Sequence, residues 1–463
     1  MTASQKLKLF TGAFVHSINL TSLEIIPKAT IGVSEDGTIV FIDKSSKTPL
    51  EAAKSYGVGE NDVSIVTTTS SSSFFFPGFF DTHIHASQYP NNGIFGKSTL
   101  LDWLETYTFP LESSFKDLNK AKSIYSKVIE RTLSHGTTTA SYYATIHPDA
   151  TNILADLALS KGQRAFVGRV CMNQNSPDFY KDASEEQSRK ADLQVIDHIK
   201  TIDPEHKKVS PIFTPRFAPT CTHESMKWMG DMMKKTGLPC QTHISENKAE
   251  IEWVKSLFPN NKSYADVYDA AGILTDKTIL AHAIHLTDEE IDTIKAKNSG
   301  ISHCPISNSS ITSGEAPIRK FLDKDLKVSL GTDCSGGFSP SILESARHAL
   351  LVSRHFTMDS ENDKDKLSIA EVLYLATLGG ARVCNLEDSL GNFEVGKKWD
   401  AQLVDLESKD SGIDIFEWQT AGSSADEENI VKFENLVAKW LFNGDDRNTV
   451  SVWVDGNLVS SRI

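Results

Sequence analysis

Short segments rich in β-branched and apolar residues alternate with longer amphipathic segments through the middle of the chain. In residues 119–134 the apolar positions recur at helical spacing, which predicts a helix with one buried face. Thr222, directly before His223 and Glu224, marks the start of another helix. The eight strands predicted between such segments lie at residues 79–85, 137–143, 165–171, 209–217, 241–246, 278–284, 301–305 and 328–333. This succession predicts an α/β fold.

Eight strands that are each followed by a helix fit two architectures, a closed (β/α)₈ TIM-like barrel and a doubly wound open sheet. The dinucleotide-binding open sheet carries a G-x-G-x-x-G turn after its first strand, and no such turn follows residues 79–85. The sequence therefore favours the barrel. We place its start at Pro77-Gly78 and assign it to residues 77–390.

Both ends of the chain have the short alternating pattern of strands joined by turns, such as Glu35-Asp36-Gly37. The elements predicted there are strands at residues 9–16, 29–33, 38–42, 399–406 and 450–454, and a helix at 429–441. Because the two ends of the chain flank the barrel, their strands can pair with each other in one sheet. We expect residues 1–76 and 391–463 to form one small β-sandwich domain.

Composition and charge limit the partners of the chain. Its 463 residues are 39% hydrophobic and 23% charged, the balance of a soluble globular enzyme. The formal net charge of −14 argues against nucleic acid or an anionic membrane as the main partner. It does not exclude a single nucleobase, which carries no phosphate. No apolar run reaches the roughly 18 residues of a membrane-spanning helix.

The cysteines and the first residues of the chain indicate the cellular compartment in which the protein is expected. Six cysteines without C-x-x-C spacing are typical of reduced thiols in the cytosol. The opening residues MTASQKLKLFTG lack the apolar stretch of a signal peptide. A cytoplasmic location is therefore expected.

The strongest chemical signal is the segment Asp81-Thr82-His83-Ile84-His85. In a strand, alternate residues point to the same face, so His83 and His85 project together from the carboxyl end of the first barrel strand. Catalytic groups of such barrels sit at that end. A histidine pair on a strand is by itself more often structural than metal-binding.

Further polar residues end other predicted strands: His243 on the fifth, His282 on the sixth and Asp333 on the eighth. Each alone fits a hydrogen-bonded core residue. A closed barrel, however, brings all the strand ends around one mouth. Imidazoles together with a carboxylate suit Zn²⁺ and tolerate Fe²⁺ or Co²⁺, so we expect a metal site there.

A bound Zn²⁺ lowers the pKa of water to about 7, and a carboxylate must then move protons to the leaving group. Glu246, three residues after His243, is the candidate for that carboxylate. The alternative is a residue of the first helical turn that interacts with the helix dipole.

Two other metal arrangements are disfavoured. A two-metal barrel site of this type usually has a bridging lysine on the fourth strand, where this chain has Thr214-Pro215-Arg216-Phe217. The zinc pattern of cytidine deaminases, H-x-E with P-C-x-x-C, is absent. Cysteines near the candidate ligands are interpreted as small buried residues: Cys240, Cys304 and Cys334. One metal ion is therefore expected.

Several segments resemble the guanine deaminases of the amidohydrolase superfamily. They include PGFFDTHIHASQY from Pro77, HGTTTA from His135, TPRF from Thr214, HISEN from His243, HCPISNSS from His303 and GTDCSGG from Gly331. The H-x-H motif alone is specific only to the superfamily, whereas ASQY, TPRF and HISEN together narrow the resemblance to the guanine deaminases. The resemblance spans nearly the whole chain from residue 77, whereas the first 75 residues are similar only in their general character and share no quoted motif.

The resemblance implies hydrolysis of guanine to xanthine and ammonia, a step of purine catabolism, by a homodimer of metal-bearing barrels with one Zn²⁺ per subunit. It implies these metal ligands: His83, His85, His243 and Asp333. His282 is expected beside the metal-bound water, and Glu246 and Asp333 are expected to shuttle protons. Gln88, Arg216 and Phe217 are implied to hold the base.

These substrate contacts also agree with the chemistry of guanine. The Arg216 fork suits the acceptor O6, whereas adenine has an amino donor there. Gln88 both donates and accepts hydrogen bonds, and Phe217 offers a ring for stacking. The alternatives are a surface or dipole-pairing role for Arg216 and ordinary core packing for Phe217. Trp103 fits a lid wall and a helix core position equally well.

Two other functions stay open from the sequence. One is a related deaminase of another ring, of the cytosine or triazine type, which the metal residues do not distinguish from the first. The other is a scaffold that has lost catalysis. Such a scaffold is expected to lack part of the ligand set, and this chain retains all of it.

Overall fold

The computed structural model of the chain describes residues 6–45, 47–59 and 62–462. The strands of this part are β1 Leu7–Asn19, β2 Ser22–Ser34, β3 Ile39–Asp43, β4 Val63–Thr67, β5 Ser73–Pro77, β6 Phe79–His85, β7 Thr137–Tyr143, β8 Arg164–Gly168, β9 Val170–Cys171, β10 Val209–Pro211, β11 Thr214–Pro215, β12 Cys240–Ile244, β13 Thr278–His282, β14 Gly300–His303, β15 Lys327–Leu330, β16 Ala401–Asp405, β17 Thr449–Val454 and β18 Asn457–Ser461. The mixed α/β class is confirmed.

The helices are α1 Pro49–Ser55, α2 Leu100–Trp103, α3 Phe109–Ser113, α4 Leu118–Ser134, α5 Pro148–Ser160, α6 Glu185–Ile202, α7 His223–Thr236, α8 Lys248–Leu257, α9 Tyr264–Ala270, α10 Asp288–Ala296, α11 Pro305–Ser310, α12 Ile318–Asp323, α13 Ile342–Ser360, α14 Ile369–Ala376, α15 Leu378–Val383 and α16 Glu427–Asn443. Thr222 caps α7 as expected, because its side chain accepts a hydrogen bond from the Ser225 amide. Of these helices, none has both the length and the apolar character needed to cross a bilayer.

The two ends of the chain share one eight-stranded sheet, in the order β18-β17-β16-β5-β1-β2-β3 with β4 beside β1. N-terminal β5 pairs antiparallel with C-terminal β16, so the expected pairing of the two ends is present. Side chains alternate across β5. Phe75 packs on Trp399 on one face, whereas Phe74 and Phe76 pack on Trp440 of α16 on the other. The arrangement of these strands as a two-layer sandwich stays a prediction.

The strands predicted for the middle of the chain are parallel. Hydrogen bonding joins them in the orders β10-β8-β7-β6 and β12-β13-β14-β15, with β9 beside β11. The predicted strand 165–171 is split at Arg169 into β8 and β9. The buried guanidinium of Arg169 binds Asp182 and Asp192. The predicted strand 209–217 is likewise split into β10 and β11.

Hydrogen bonds also connect the two parallel sheets to each other. At one seam the Gln241 amide of β12 donates to the carbonyl of Phe213, which lies between β10 and β11, at 2.9 Å. At the other seam the Asp333 amide donates to the His83 carbonyl at 2.9 Å. The carboxyl ends of β6, β12 and β13 therefore lie beside the segment that follows β15.

Strands β12, β13 and β15 end earlier than the sequence predicted. The φ angles are positive at Ser245 (49°), directly after β12, and at His282 (71°), where β13 ends, and an extended strand does not continue through such a conformation. The φ angle is also positive at Asp333 (46°), in the segment after β15. Backbone of this kind is uncommon for residues other than glycine and clusters at functional sites. In this chain it turns the backbone where the candidate metal ligands lie.

Candidate active site

The fold brings the four predicted metal ligands together with His282, which is expected beside the metal-bound water. His83 and His85 lie on β6, His243 on β12, His282 at the end of β13 and Asp333 just after β15. Except for His243, which is partly exposed, these residues are buried. Segments up to 250 positions apart along the chain therefore meet, as a convergence of strand ends requires.

Asp333 is at the centre of this cluster. Its Oδ1 lies 3.3 Å from His83 Nε2 and 3.5 Å from His85 Nε2. Its Oδ2 lies 3.7 Å from His282 Nε2. His85 Nε2 and His243 Nε2 are 3.2 Å apart. Two groups of three residues have ligand atoms within 4.8 Å of one another: His83, His243 and His282, and His83, His85 and Asp333.

Two of the imidazoles are oriented by a hydrogen bond from the ring nitrogen that faces away from the cluster. His243 Nδ1 donates to the carbonyl oxygen of Arg216 at 2.6 Å. His282 Nδ1 donates to Asn308 Oδ1 at 2.8 Å. Metal-binding histidines typically make such a contact, and for His243 it leaves the Nε2 lone pair free to bind an ion. For His282 the contact holds Nε2 near the carboxylates of Glu246 and Asp333. The sequence did not single out Asn308, although it lies in the HCPISNSS segment.

The donor set fits a divalent cation. Two buried ring nitrogens that face the cluster, Nε2 of His83 and Nε2 of His282, lack a hydrogen-bond partner within the described part of the chain. Unpartnered buried polar atoms are costly, and a cation supplies the missing partner. Imidazole nitrogens with a carboxylate oxygen are ligands of Zn²⁺ and related ions.

Protonation states agree with this fit. Burial lowers the pKa of His83, and it lowers the pKa of His85 and His243 well below the usual histidine value. These three rings are therefore neutral, as metal binding requires. Burial alone would raise the pKa of Asp333, but the neighbouring imidazoles, His83 first, hold it well below the usual value.

Glu246 lies next to the cluster. Its Oε2 is 3.5 Å from His282 Nε2, and its Oε1 accepts a hydrogen bond from Ser313 Oγ at 3.1 Å. Burial raises the pKa of Glu246 to about 7, where a carboxyl group exchanges protons near neutral pH. Helix α8 begins only at Lys248, and its first-turn carboxylate is Glu250. The dipole interpretation therefore fits Glu250 better than Glu246.

The three residues implied to hold the base lie in one neighbourhood. Arg216 and Phe217 follow β11 and line a cavity beside the cluster. Gln88 is buried close by, where its Nε2 donates to Glu112 Oε1 at 2.8 Å, but the described lining of the cavity does not include it. Glu112 also binds Arg216, and no sequence pattern had indicated it.

The cavity itself is small, at about 20 Å³. Its described lining consists of His85, Leu100, Trp103, Leu104, Arg216, Phe217, His243, Glu246, Glu250, His282, Ile311 and Asp333. Such a volume holds about one water molecule. Trp103 forms part of the wall and also packs in a hydrophobic cluster, and its role in a lid stays a prediction. A larger cavity of about 340 Å³ lies elsewhere, lined by Arg164 and Lys277, and does not touch these groups.

The cysteines near the site are buried, as expected. Burial raises the thiol pKa of Cys240, Cys304 and Cys334, so their protonated forms are favoured. They take no part in the two groups that fit a cation among the described residues. Their interpretation as small buried residues agrees with the structure.

Comparison with known proteins defines the class. The model of the amidohydrolase family matches residues 74–459, which is most of the chain. The chain therefore belongs to the amidohydrolase family.

Within that family, the chain is similar to guanine deaminases. It is 49% identical to a probable guanine deaminase of Schizosaccharomyces pombe over 98% of this chain and 83% of the relative. It is 40% identical to the guanine deaminase of Homo sapiens over 97% of this chain and 96% of the relative. The guanine deaminase of C. acetobutylicum, solved with guanine in its active site, superposes with a TM-score of 0.86 at 32% identity over 98% of this chain and 100% of that one. The resemblance seen in the sequence is confirmed.

Proposed function

We propose that this chain hydrolyses guanine to xanthine and ammonia. The observation that carries the proposal is that Glu246 and Arg216 line the same cavity as the histidine and aspartate cluster. A proton-transfer group and a base-binding group thus line one cavity with a site for a cation. Similarity to guanine deaminases over nearly the full length supports guanine as the substrate.

We propose one Zn²⁺ per subunit, held by His83, His85, His243 and Asp333; Fe²⁺ and Co²⁺ suit the same ligand types. A cation bound there supplies the Lewis acidity that makes water a nucleophile near neutral pH. His282 has a different environment. Burial favours its neutral form, but the carboxylates of Glu246 and Asp333 raise its pKa above the usual value. A protonated His282 is a hydrogen-bond donor beside the reacting water rather than a ligand.

The carboxylates then carry the protons of the reaction. Water adds to C2 of guanine, and Glu246 passes one proton of that water to the ring nitrogen next to that carbon. Asp333 carries the proton of the added hydroxyl to the exocyclic nitrogen. The bond from C2 to this nitrogen then breaks, the nitrogen leaves as ammonia, and the oxygen stays on C2 as the carbonyl of xanthine. The pKa of about 7 lets Glu246 both give and take a proton at neutral pH.

Binding of the base requires the cavity wall to move, because the cavity of about 20 Å³ holds about one water molecule. The wall contributed by Leu100, Trp103 and Leu104 is the part we expect to move. The short helix α2 continues there into a π-helical turn, Leu104–Thr108. Gly93 and Gly96, both exposed, precede it with positive φ angles of 80° and 59°. π-Helical turns are frequent at functional sites.

Replacement of Arg216 by Ala is expected to lower kcat/KM for guanine by about 10- to 100-fold, mainly through KM, because a charged hydrogen bond to the base is lost. Cation content is expected to stay near that of the native protein, since the Arg216 side chain is not a ligand. Steady-state kinetics and elemental analysis measure the two effects. Arg319→Ala, which breaks a pair with Glu371 away from the site, is the matched control. Loss of the cation in Arg216→Ala would assign Arg216 a structural role instead.

We also propose that the parallel strands close into a (β/α)₈ barrel over residues 77–390. Hydrogen bonds at both seams, from Gln241 to Phe213 and from Asp333 to His83, support closure. Residues 1–76 and 391–463 are proposed as one small β-sandwich domain, which the pairing of β5 with β16 supports. The homodimer and the cytoplasmic location stay predictions.

The proposed function is tested with a panel of bases, by ammonia release together with the absorbance change from guanine to xanthine. We expect guanine to react far faster than adenine or cytosine. Faster turnover of cytosine, adenine or a triazine would assign the chain to a different deaminase. Absence of turnover in metal-loaded protein with every base would favour a scaffold without catalysis.

A further inference from the structure

The carboxylate of Glu112, in the short helix α3, is fully buried and lies outside the described lining of the cavity. It accepts hydrogen bonds from Arg216 Nη1 at 2.7 Å, Arg216 Nη2 at 3.3 Å and Gln88 Nε2 at 2.8 Å. The Tyr180 hydroxyl donates to it at 2.7 Å. A buried carboxylate needs such partners, and two of the residues it binds are the ones implied to hold the base.

Glu112 fixes the direction of the Arg216 guanidinium. Both of its oxygens bind the guanidinium, one to each terminal nitrogen, so that the side chain is held by a two-point contact. An arginine has five N–H donors and no acceptor. Because Arg216 lines the cavity, donors that Glu112 does not use are available to a bound base.

Glu112 also fixes the orientation of the Gln88 amide group, that is, the positions of its nitrogen and its oxygen. A carboxylate only accepts hydrogen bonds, so the amide nitrogen of Gln88 must face it. On its other side, Gln88 Oε1 accepts from the Ser335 backbone amide at 3.2 Å. A flipped amide would set oxygen against oxygen at one end and N–H against N–H at the other. The Gln88 nitrogen therefore lies on the side of Glu112 and Arg216, outside the described lining of the closed cavity, although the sequence had allowed Gln88 to donate and accept.

We infer that Glu112 is a positioning residue that holds Arg216 and Gln88 as hydrogen-bond donors, so that the site selects a base edge with two adjacent acceptors. The inference rests on the proposed function and extends it to the basis of selectivity. Guanine has such an edge in O6 and N7. A purine with an amino group at position 6 sets a donor against these donors, and sites built on hydrogen bonds reject such analogues strongly.

The test compares guanine with 2,6-diaminopurine, which has the same reacting 2-amino group but an amino group in place of O6. In Glu112→Gln, the neutral amide has N–H groups of its own, so it can donate to the Gln88 oxygen, and only the contact with the Ser335 amide still opposes a turned Gln88 amide. We expect the preference for guanine, as a ratio of kcat/KM values, to fall at least about tenfold with unchanged cation content. Glu371→Gln, which removes the charge of another buried carboxylate paired with arginine, is expected to keep the native preference.

A second variant gives the same information without altering Glu112. Gln88→Met keeps the volume of the side chain but removes the donor, and the preference for guanine is again expected to fall about tenfold. Native protein that turns over guanine, with an unchanged preference in the variants, would overturn the inference and leave the proposed function intact. Native protein inert toward guanine would overturn both.

Discussion

Replacement of Glu246 by Gln is expected to lower guanine turnover by about 10²–10⁴-fold, the range that general acid–base groups contribute. The glutamine keeps the shape of the side chain and its contact with Ser313, whose hydroxyl lies 3.1 Å from Oε1 in the native protein. It has no proton to exchange near neutral pH. Because Glu246 is not one of the proposed ligands, the bound cation is expected to remain.

The measurements for this variant are single-turnover kinetics with guanine and elemental analysis of the same sample. Glu290→Gln is the matched control, because Glu290 is also a buried carboxylate near the start of a helix, but caps α10 away from the cavity. That variant is expected to retain native turnover. Turnover within a few fold of native in Glu246→Gln would remove Glu246 from the mechanism.

Replacement of His243 by Ala is expected to remove both the cation and the activity. His243 Nε2 faces His85 Nε2 at 3.2 Å, and its Nδ1 is committed to the Arg216 carbonyl, so a ligand already in its binding orientation is lost. Changes to residues that only orient ligands weaken metal binding by about 10- to 100-fold, and loss of a ligand is expected to exceed that range. Titration with Zn²⁺ after treatment with a chelator measures the affinity.

The control for this prediction is His303→Ala. His303 is buried on the adjacent part of the same sheet, on β14, and is not a member of the groups that fit a cation among the described residues. It is expected to keep native Zn²⁺ affinity. Equal affinity in His243→Ala and native protein would exclude His243 as a ligand.

Local rules were enough to predict much of this site from the sequence. His83 and His85 share a face because side chains alternate along a strand, and β6 has the predicted bounds Phe79–His85. The helix predicted at 119–134 is α4, Leu118–Ser134, whose apolar spacing matches its buried face. Convergence of His243, His282 and Asp333 followed from their places at strand ends, once parallel strands were assumed.

Other features depend on contacts that no local pattern encodes. Glu112 is 104 positions from Arg216 along the chain and lies in the five-residue helix α3, so neither periodicity nor a known segment marks it. The early ends of β12 and β13 depend on positive φ angles at Ser245 and His282, which are unfavourable locally and persist only in the folded surroundings. The narrow cavity is likewise a property of packing between distant segments.

The proposed ligand set is tested most directly by the anomalous diffraction of crystals grown with Zn²⁺, recorded on both sides of the zinc absorption edge. We expect one strong peak per subunit, at about 2.0–2.2 Å from His83, His85, His243 and Asp333. A map with no peak among these side chains, or with a peak bound only to other residues, would contradict that ligand set.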